Sequence, residues 1–208
     1  MKRPASANRP RGKNAAARPA RPGHLARPEK AVEPGDRELV LGIDPGSIYC
    51  GYGLVKRAKN SSCVYVSSGR IGMTKSAPLE HRLMELFEGL SALIKELSPQ
   101  AGAVEKIFFA KNARAALSLG HARGIALLAL ANGGVPVYEY SALEVKKAVT
   151  GYGRAEKMQV QAMIKRLLGL GFSPSPDGAD ALALAFCHLN KQDFVSARDA
   201  GIYDAYGA

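Results

Sequence analysis

The chain has 208 residues, of which 47% are hydrophobic and 23% are charged. That length supports one well-packed domain with a tail and excludes two large domains. Its 29 Lys and Arg residues against 18 Asp and Glu residues give a formal net charge of +11, which favours an anionic polymer or an anionic membrane surface as a partner. No run approaches about 18 consecutive apolar residues, so we predict no membrane-spanning helix. Of the two kinds of partner, we expect the anionic polymer and no membrane.

Cysteine usage indicates the compartment. Cys50, Cys63 and Cys187 form no C-x-x-C pair, so neither a disulfide framework nor a structural zinc site is predicted. The N-terminus also lacks the apolar centre of a secretory signal. We therefore expect a cytoplasmic protein.

The N-terminal 36 residues differ in composition from the rest. They are rich in Pro, Ala and Arg and have no apolar periodicity, which predicts a disordered basic tail. A solvated extension and a non-specific DNA tether remain open as its role, and an organelle transit peptide is disfavoured by many prolines and few serines. We predict a single domain over residues 37–190 and a C-terminal tail over 191–208.

The first half of the domain reads as strands followed by a helix. An apolar run over 39–43 stops at Asp44-Pro45-Gly46, which is typical of a buried strand that ends in a turn. Further strands are predicted over 52–55 and 63–71, and their short connections favour an antiparallel meander. Apolar residues then recur at spacings of three and four, which predicts a helix over 78–97.

The second half alternates between the two kinds of element. We predict strands over 101–104 and 135–140, a helix over 112–132, a helix that opens at the capping box of Ser141 and Glu144, and helices over 155–168 and 177–189. This order predicts an α/β fold with a mixed five-stranded sheet and helices on both faces, the layout of the ribonuclease H-like fold.

Four acids fall at element ends in this layout. Asp44 and Glu105 end separate strands, while Asp177 and Asp180 share one face at the start of the last helix. Clustered carboxylates repel one another unless a cation neutralises them, and magnesium prefers oxygen ligands. Two ions about 3.5 to 4 Å apart would activate water and stabilise the leaving oxygen at phosphorus.

Each acid also has a role that needs no metal. Asp44 could cap a turn, Glu105 could be a rim residue, and Asp177 could be a helix N-cap after Ser175-Pro176. Acids at element ends are common, so spacing alone leaves these alternatives open.

Local strings are more specific than spacing. The chain carries LGIDPGS at 41–47 and GYG at 51–53, AVEKIFFAKN at 103–112, GHARG at 120–124, YEY at 138–140, VK at 145–146, AEK at 155–157 and DGADALA at 177–183. In this order, from about residue 38 to residue 188, they resemble the motifs of the RuvC family of crossover-junction endodeoxyribonucleases.

The resemblance implies a homodimeric nuclease that nicks two strands of a four-way DNA junction symmetrically. Asp44, Glu105, Asp177 and Asp180 would be its catalytic metal ligands, with magnesium or manganese as the ion and two ions per active site. It also implies that the protein works with the RuvA and RuvB branch-migration proteins.

Several side chains are candidates for holding the DNA. Lys111 and Arg114 open the second predicted helix, and four more basic residues bracket the break at 151–153: Lys146, Lys147, Arg154 and Lys157. Such lysines can follow a phosphate backbone, although a solvated helix face is the plainer interpretation. The resemblance points to Phe108 as the aromatic that stacks on a base near the junction centre, with core packing as the alternative.

Two features depart from the family pattern. Ile48, Tyr49 and Cys50 stand where family members commonly carry a basic residue and a threonine, and the basic tail has no counterpart. Two other functions stay open. The glycine-rich turn at 42–46 also resembles the phosphate-binding hairpin of actin-like ATPases, which need two such domains, and a non-catalytic junction-binding protein would gain nothing from four clustered acids.

Overall fold

The computed structural model describes residues 38–58, 62–106 and 113–199, without the side chains of residues 113–115 and 192–199. The predicted tail over 1–36 lies outside these residues, as do Phe108, Lys111 and the side chain of Arg114.

Five strands form one sheet in the order β3-β2-β1-β4-β5. Strand β1 is antiparallel to β2, and β2 is antiparallel to β3, whereas β4 runs parallel to both β1 and β5. The predicted meander and the mixed five-stranded sheet are therefore confirmed. The strands are β1 (Leu39–Asp44), β2 (Tyr49–Arg57), β3 (Cys63–Gly72), β4 (Ala101–Glu105) and β5 (Val137–Tyr140).

Helices cover both faces of the sheet, as predicted. They are α1 (Leu79–Leu97), α2 (Ala113–Asn132), α3 (Ala142–Thr150), α4 (Lys157–Leu167) and α5 (Pro176–Asp199). One buried apolar cluster lies between the sheet and α1 and α2, and a second lies between the sheet and α3, α4 and α5. In the described part of the chain, no helix has the length and apolar character needed to cross a bilayer.

Two element boundaries differ from the prediction. The last helix continues past residue 189 to Asp199, so the predicted boundary at 191 falls inside α5. Strand β5 begins at Val137 rather than at residue 135, because the backbone N–H of Val135 donates to Leu130 and closes α2. Residues 135 and 136 therefore belong to the helix terminus and its turn.

Helix α5 contacts the sheet through backbone atoms. A Cβ at Gly42 would lie 1.9 Å from the carbonyl oxygen of Ala181, and a Cβ at Gly53 would lie 2.5 Å from the amide nitrogen of Leu182. Only glycine permits such an approach between a strand and a helix. The start of α5 is thereby held against the middle of β1 and β2.

The middle of α5 is anchored by a buried histidine. His188 is fully buried, with Nδ1 2.6 Å from the Tyr140 hydroxyl and Nε2 3.1 Å from Glu38. The Arg57 guanidinium donates to the carbonyl oxygen of Leu189. His188 therefore packs in the core with its two ring nitrogens hydrogen-bonded to Tyr140 and Glu38.

Candidate active site

Asp44 and Glu105 end neighbouring parallel strands. Ile43 of β1 pairs with Val104 of β4, so the next residue on each strand reaches the same edge of the sheet. Side chains alternate along a strand, and the Gly42 position faces α5. The Asp44 side chain therefore faces α5 as well.

Asp177 lies over β2 beside Asp44. Gly51 is the residue opposite Asp44 in the β1-β2 ladder, and a Cβ at Gly51 would lie 2.1 Å from the Asp177 carbonyl oxygen. The missing side chain at Gly51 allows the first turn of α5 to sit on the sheet. Asp180 follows one turn later on the same helix face.

Ser175, and not Asp177, caps α5. The Ser175 hydroxyl accepts a hydrogen bond of 3.2 Å from the amide of Gly178, and the Ser175 carbonyl accepts one of 2.8 Å from the amide of Ala179. Asp177 therefore lies inside the first turn, where its carboxylate is not used as the cap. The alternative role for this acid is wrong.

The acids interact electrostatically as one cluster. Burial, followed by the charges of Asp180 and Glu105, raises the pKa of Asp44 from 3.8 to about 7. Burial and the charge of Asp180 also raise the pKa of Glu105, against the opposing charges of Lys157 and Lys146. Asp177 adds to the potential at Asp44. All four predicted acids thus converge at one end of the sheet.

Lys157 places an ammonium group among these carboxylates. It forms an ion pair with Asp180 Oδ2, and this hydrogen bond raises the Lys157 pKa, supported by the charges of Asp180, Asp44 and Asp177. Gln161 Nε2 donates to Asp180 Oδ1 over 3.2 Å. Both oxygens of Asp180 are therefore engaged by α4.

Sequence reasoning did not single out Gln161. It lies one helical turn after Lys157, so the two side chains share a face of α4. The spacing of four residues was the signal in the sequence that could have linked Gln161 to Lys157. Only the packing of α4 against α5 shows that this face meets Asp180.

The other predicted DNA-binding residues divide into two groups. The charge of Lys146 acts on Glu105, so Lys146 belongs to the surroundings of the acid cluster. Lys147 and Arg154 are exposed around the turn at Gly153 and show no such influence on the acids.

Most of the described chain matches one protein family. The model of the family described as crossover junction endodeoxyribonuclease RuvC matches residues 40–188. This chain belongs to the RuvC family. A RuvC from Syntrophotalea carbinolica is 51% identical over 151 residues, which cover 73% of this chain and 93% of the relative.

Solved structures agree with this assignment. RuvC from Thermus thermophilus in complex with a Holliday junction substrate superposes with a TM-score of 0.72 at 32% identity, covering 76% of this chain and 97% of the other. The yeast mitochondrial Holliday junction resolvase Ydc2, at 15% identity and a TM-score of 0.57 with 80% and 83% coverage, shares the fold. The predicted ribonuclease H-like fold and the resemblance to RuvC nucleases are confirmed. Membership of the RuvC family excludes the actin-like ATPase alternative.

RuvC family nucleases are metal-dependent. The donor set in this chain fits a hard divalent ion, because it consists of carboxylate oxygens and contains no sulfur or imidazole. As the side chains stand, no three His, Cys, Asp or Glu groups of the described residues are arranged to hold a metal ion directly. The ion pair of Lys157 with Asp180 places an ammonium group beside the acids, where it partly neutralises their charge.

Proposed function

We propose that this protein is a Holliday junction resolvase that hydrolyses one phosphodiester bond in each of two strands of like polarity. Asp44, Glu105, Asp177 and Asp180 are its catalytic residues and would hold magnesium, or manganese, as two ions per active site. The convergence of four carboxylates in a chain of the RuvC family is the observation that carries the proposal. When bound, the ions supply activation of water and stabilisation of the leaving oxygen.

The protein's own residues prepare this site in two ways. Strand ends and a capped helix hold the carboxylates on rigid backbone, so little order is lost when a cation binds. Lys157 and Lys146 reduce the repulsion that four acids would exert on an approaching phosphate. We assign Lys146, Lys147, Arg154 and Lys157 to phosphate contacts, and Phe108, Lys111 and Arg114 remain proposed contacts from the sequence.

A synthetic four-way junction tests the reaction. Strands labelled singly at their 5′ ends are incubated with the protein in Mg²⁺, in Mn²⁺ or in EDTA, and the products are separated on a denaturing gel. We expect nicks at symmetric positions in two opposing strands with either metal and none in EDTA. Cleavage of a linear duplex at the same rate would contradict junction resolution.

Matched substitutions separate catalysis from binding. Asp44→Asn and Glu105→Gln keep the shape of the side chain and remove its charge, so cleavage should be lost while junction binding is retained. Equal nicking by either variant would remove its metal-ligand role. Wild-type protein that binds the junction and never cuts it would favour the non-catalytic alternative.

We further propose that the protein is a homodimer that pairs through α2. Leu117 and Leu128 are 65% and 54% exposed on one face of this helix, and a Cβ at Gly120 or Gly124 between them would meet nothing within 4 Å. Such a face lets a second helix approach closely and covers the two leucines. A partner copy would also supply the second active site that paired nicking requires.

The oligomeric state can be measured by light scattering after size-exclusion chromatography. Leu128→Asp should convert the dimer to a monomer. The control Leu143→Asp changes a leucine on α3 that is similarly exposed and should leave the dimer intact. A dimer that survives Leu128→Asp would exclude α2 as the interface.

RuvA and RuvB as partners, and a cytoplasmic location, remain predictions.

A further inference from the structure

A cation-aromatic pair lies on the surface near the acid cluster, at residues to which sequence reasoning gave no role. The Arg70 guanidinium carbon stands 4.3 Å from the centroid of the Tyr49 ring. Tyr49 is 45% exposed, and Arg70 is exposed as well. No carboxylate among the described residues forms an ion pair with Arg70.

Strand register puts this pair on the same face of the sheet as the acids. Gly51 pairs with Asp44 on one side and with Arg70 on the other, and residues directly opposite each other share a face. Two strand spacings of about 4.8 Å place the Arg70 backbone roughly 10 Å from that of Asp44. Glu105 lies on the other side of Asp44. Arg70 therefore flanks the acid cluster on the side opposite to Glu105 and Lys146.

Two hydrogen bonds hold the turn that precedes Tyr49. Arg82 Nη1 donates to the Ser47 carbonyl over 3.1 Å, and the amide of Met73 donates to the Ile48 carbonyl over 2.8 Å. The guanidinium lies over the Tyr49 ring, and its N–H groups are donors that a phosphate could accept from.

We propose that Arg70, held against Tyr49, binds a backbone phosphate of the DNA next to the cleaved bond. Lys146 and Lys157 act on the side of Glu105 and Asp180, so Arg70 would supply positive charge for the DNA strand on the other side of the acids. The separation of about 10 Å between the two backbones, together with the length of an arginine side chain, lets the guanidinium reach a phosphate that neighbours the one at the acids. This inference rests on the proposed junction-resolving function and adds a contact to it.

Junction affinity as a function of salt concentration tests the contact. Binding of a labelled four-way junction is measured by fluorescence anisotropy in EDTA over a range of about 50 to 300 mM KCl. Arg70→Gln should reduce the magnitude of the slope of log K against log salt by about 1. The control Lys95→Gln makes the same charge change on α1, which covers the other face of the sheet, and should keep the wild-type slope.

Substitutions of the ring test the positioning role of Tyr49. Tyr49→Leu should weaken binding about two- to five-fold, whereas Tyr49→Phe should bind like wild type because it keeps the aromatic face. In an Arg70→Gln background, Tyr49→Leu should have no further effect, since the ring acts through the guanidinium. Thermal unfolding of each variant shows whether it is folded.

The outcomes distinguish the contact from the function. A wild type that neither binds nor cuts the junction would overturn the proposed function and this contact with it. A wild type that cuts the junction, with Arg70→Gln matching Lys95→Gln, would overturn only the contact. An additive effect of Tyr49→Leu in the Arg70→Gln background would overturn the positioning role of the ring.

Discussion

Lys157 forms an ion pair with Asp180 in the midst of the carboxylates that we assign as metal ligands. The ammonium group thus acts as an internal counterion. Any divalent cation that uses Asp180 must take over part of that neutralisation. The relationship leads to a measurable competition between a side chain of the protein and the metal.

Replacing this lysine should change how strongly metal stabilises the protein. Lys157→Met leaves the carboxylates facing one another, so the metal-free melting temperature should fall and the increase on adding Mg²⁺ should be larger than in wild type. Thermal unfolding with and without MgCl₂ measures both effects, and Lys95→Met on α1 is the control. An unchanged increase on Mg²⁺ addition would show that Lys157 and the metal do not compete.

The raised pKa of Asp44 makes stability depend on pH. In the metal-free folded protein Asp44 keeps its proton up to about pH 7, whereas in the unfolded chain it loses the proton near pH 3.8. The folded state therefore binds more protons between these values, and its stability decreases as pH rises from about 4 to 7.

Asp44→Asn should remove this contribution. At pH 7.5 without metal, we expect the variant to be more stable than wild type by on the order of 2 kcal/mol, or about 4 to 8 °C in melting temperature. At pH 4 the two proteins should differ little. Melting temperatures across this range, with Glu88→Gln on the exposed face of α1 as the control, decide the question. A difference that does not vary with pH would show that ionisation of Asp44 is not its cause.

The two lysines near the acids should contribute unequally to the salt dependence of binding. Lys146→Ala should reduce the slope of log K against log salt by about 1. Lys157→Ala should reduce it by less, because Asp180 already neutralises part of that charge. Anisotropy titrations of the single and double variants measure the slopes. Equal and additive losses would mean that the ion pair breaks when DNA binds.

Gly42 is a test of how α5 is positioned. A methyl group there would overlap the Ala181 carbonyl, so Gly42→Ala must push α5 away from the sheet and separate Asp180 from Asp44. We expect a loss of about 2 kcal/mol or more in stability and a loss of cleavage even at temperatures where the protein is folded. Gly171→Ala, where a Cβ meets nothing within 4 Å, is the control. Full activity in a folded Gly42→Ala protein would refute the backbone contact.

Much of the site could be predicted because its acids follow local signals. Asp44 and Glu105 come directly after short apolar runs, and Asp177 and Asp180 open an apolar helix, so the strand and helix assignments already brought them to element ends. The cap at Ser175 could have been anticipated by the same rules, since a serine precedes the proline that begins α5.

The other contacts around the site depend on packing between segments that are distant in the sequence. That Lys157 and Gln161 meet Asp180 follows from the way α4 lies against α5, which no local pattern encodes. The pairing of Arg70 with Tyr49 depends on the register of β2 and β3, which shifts at an irregularity between Leu54 and Val55. The extension of α5 beyond residue 189 was missed because the apolar periodicity fades there and polar residues predominate.

The division of the core by the sheet has a practical consequence. Every proposed catalytic carboxylate lies on the α5 face, and the cluster beneath α1 and α2 contains none of them. Substitutions that improve packing in the cluster beneath α1 and α2 can lengthen the lifetime of the folded enzyme without disturbing the geometry of cleavage. Engineering for heat resistance should therefore start from the layer that includes Leu86, Leu90 and Leu130.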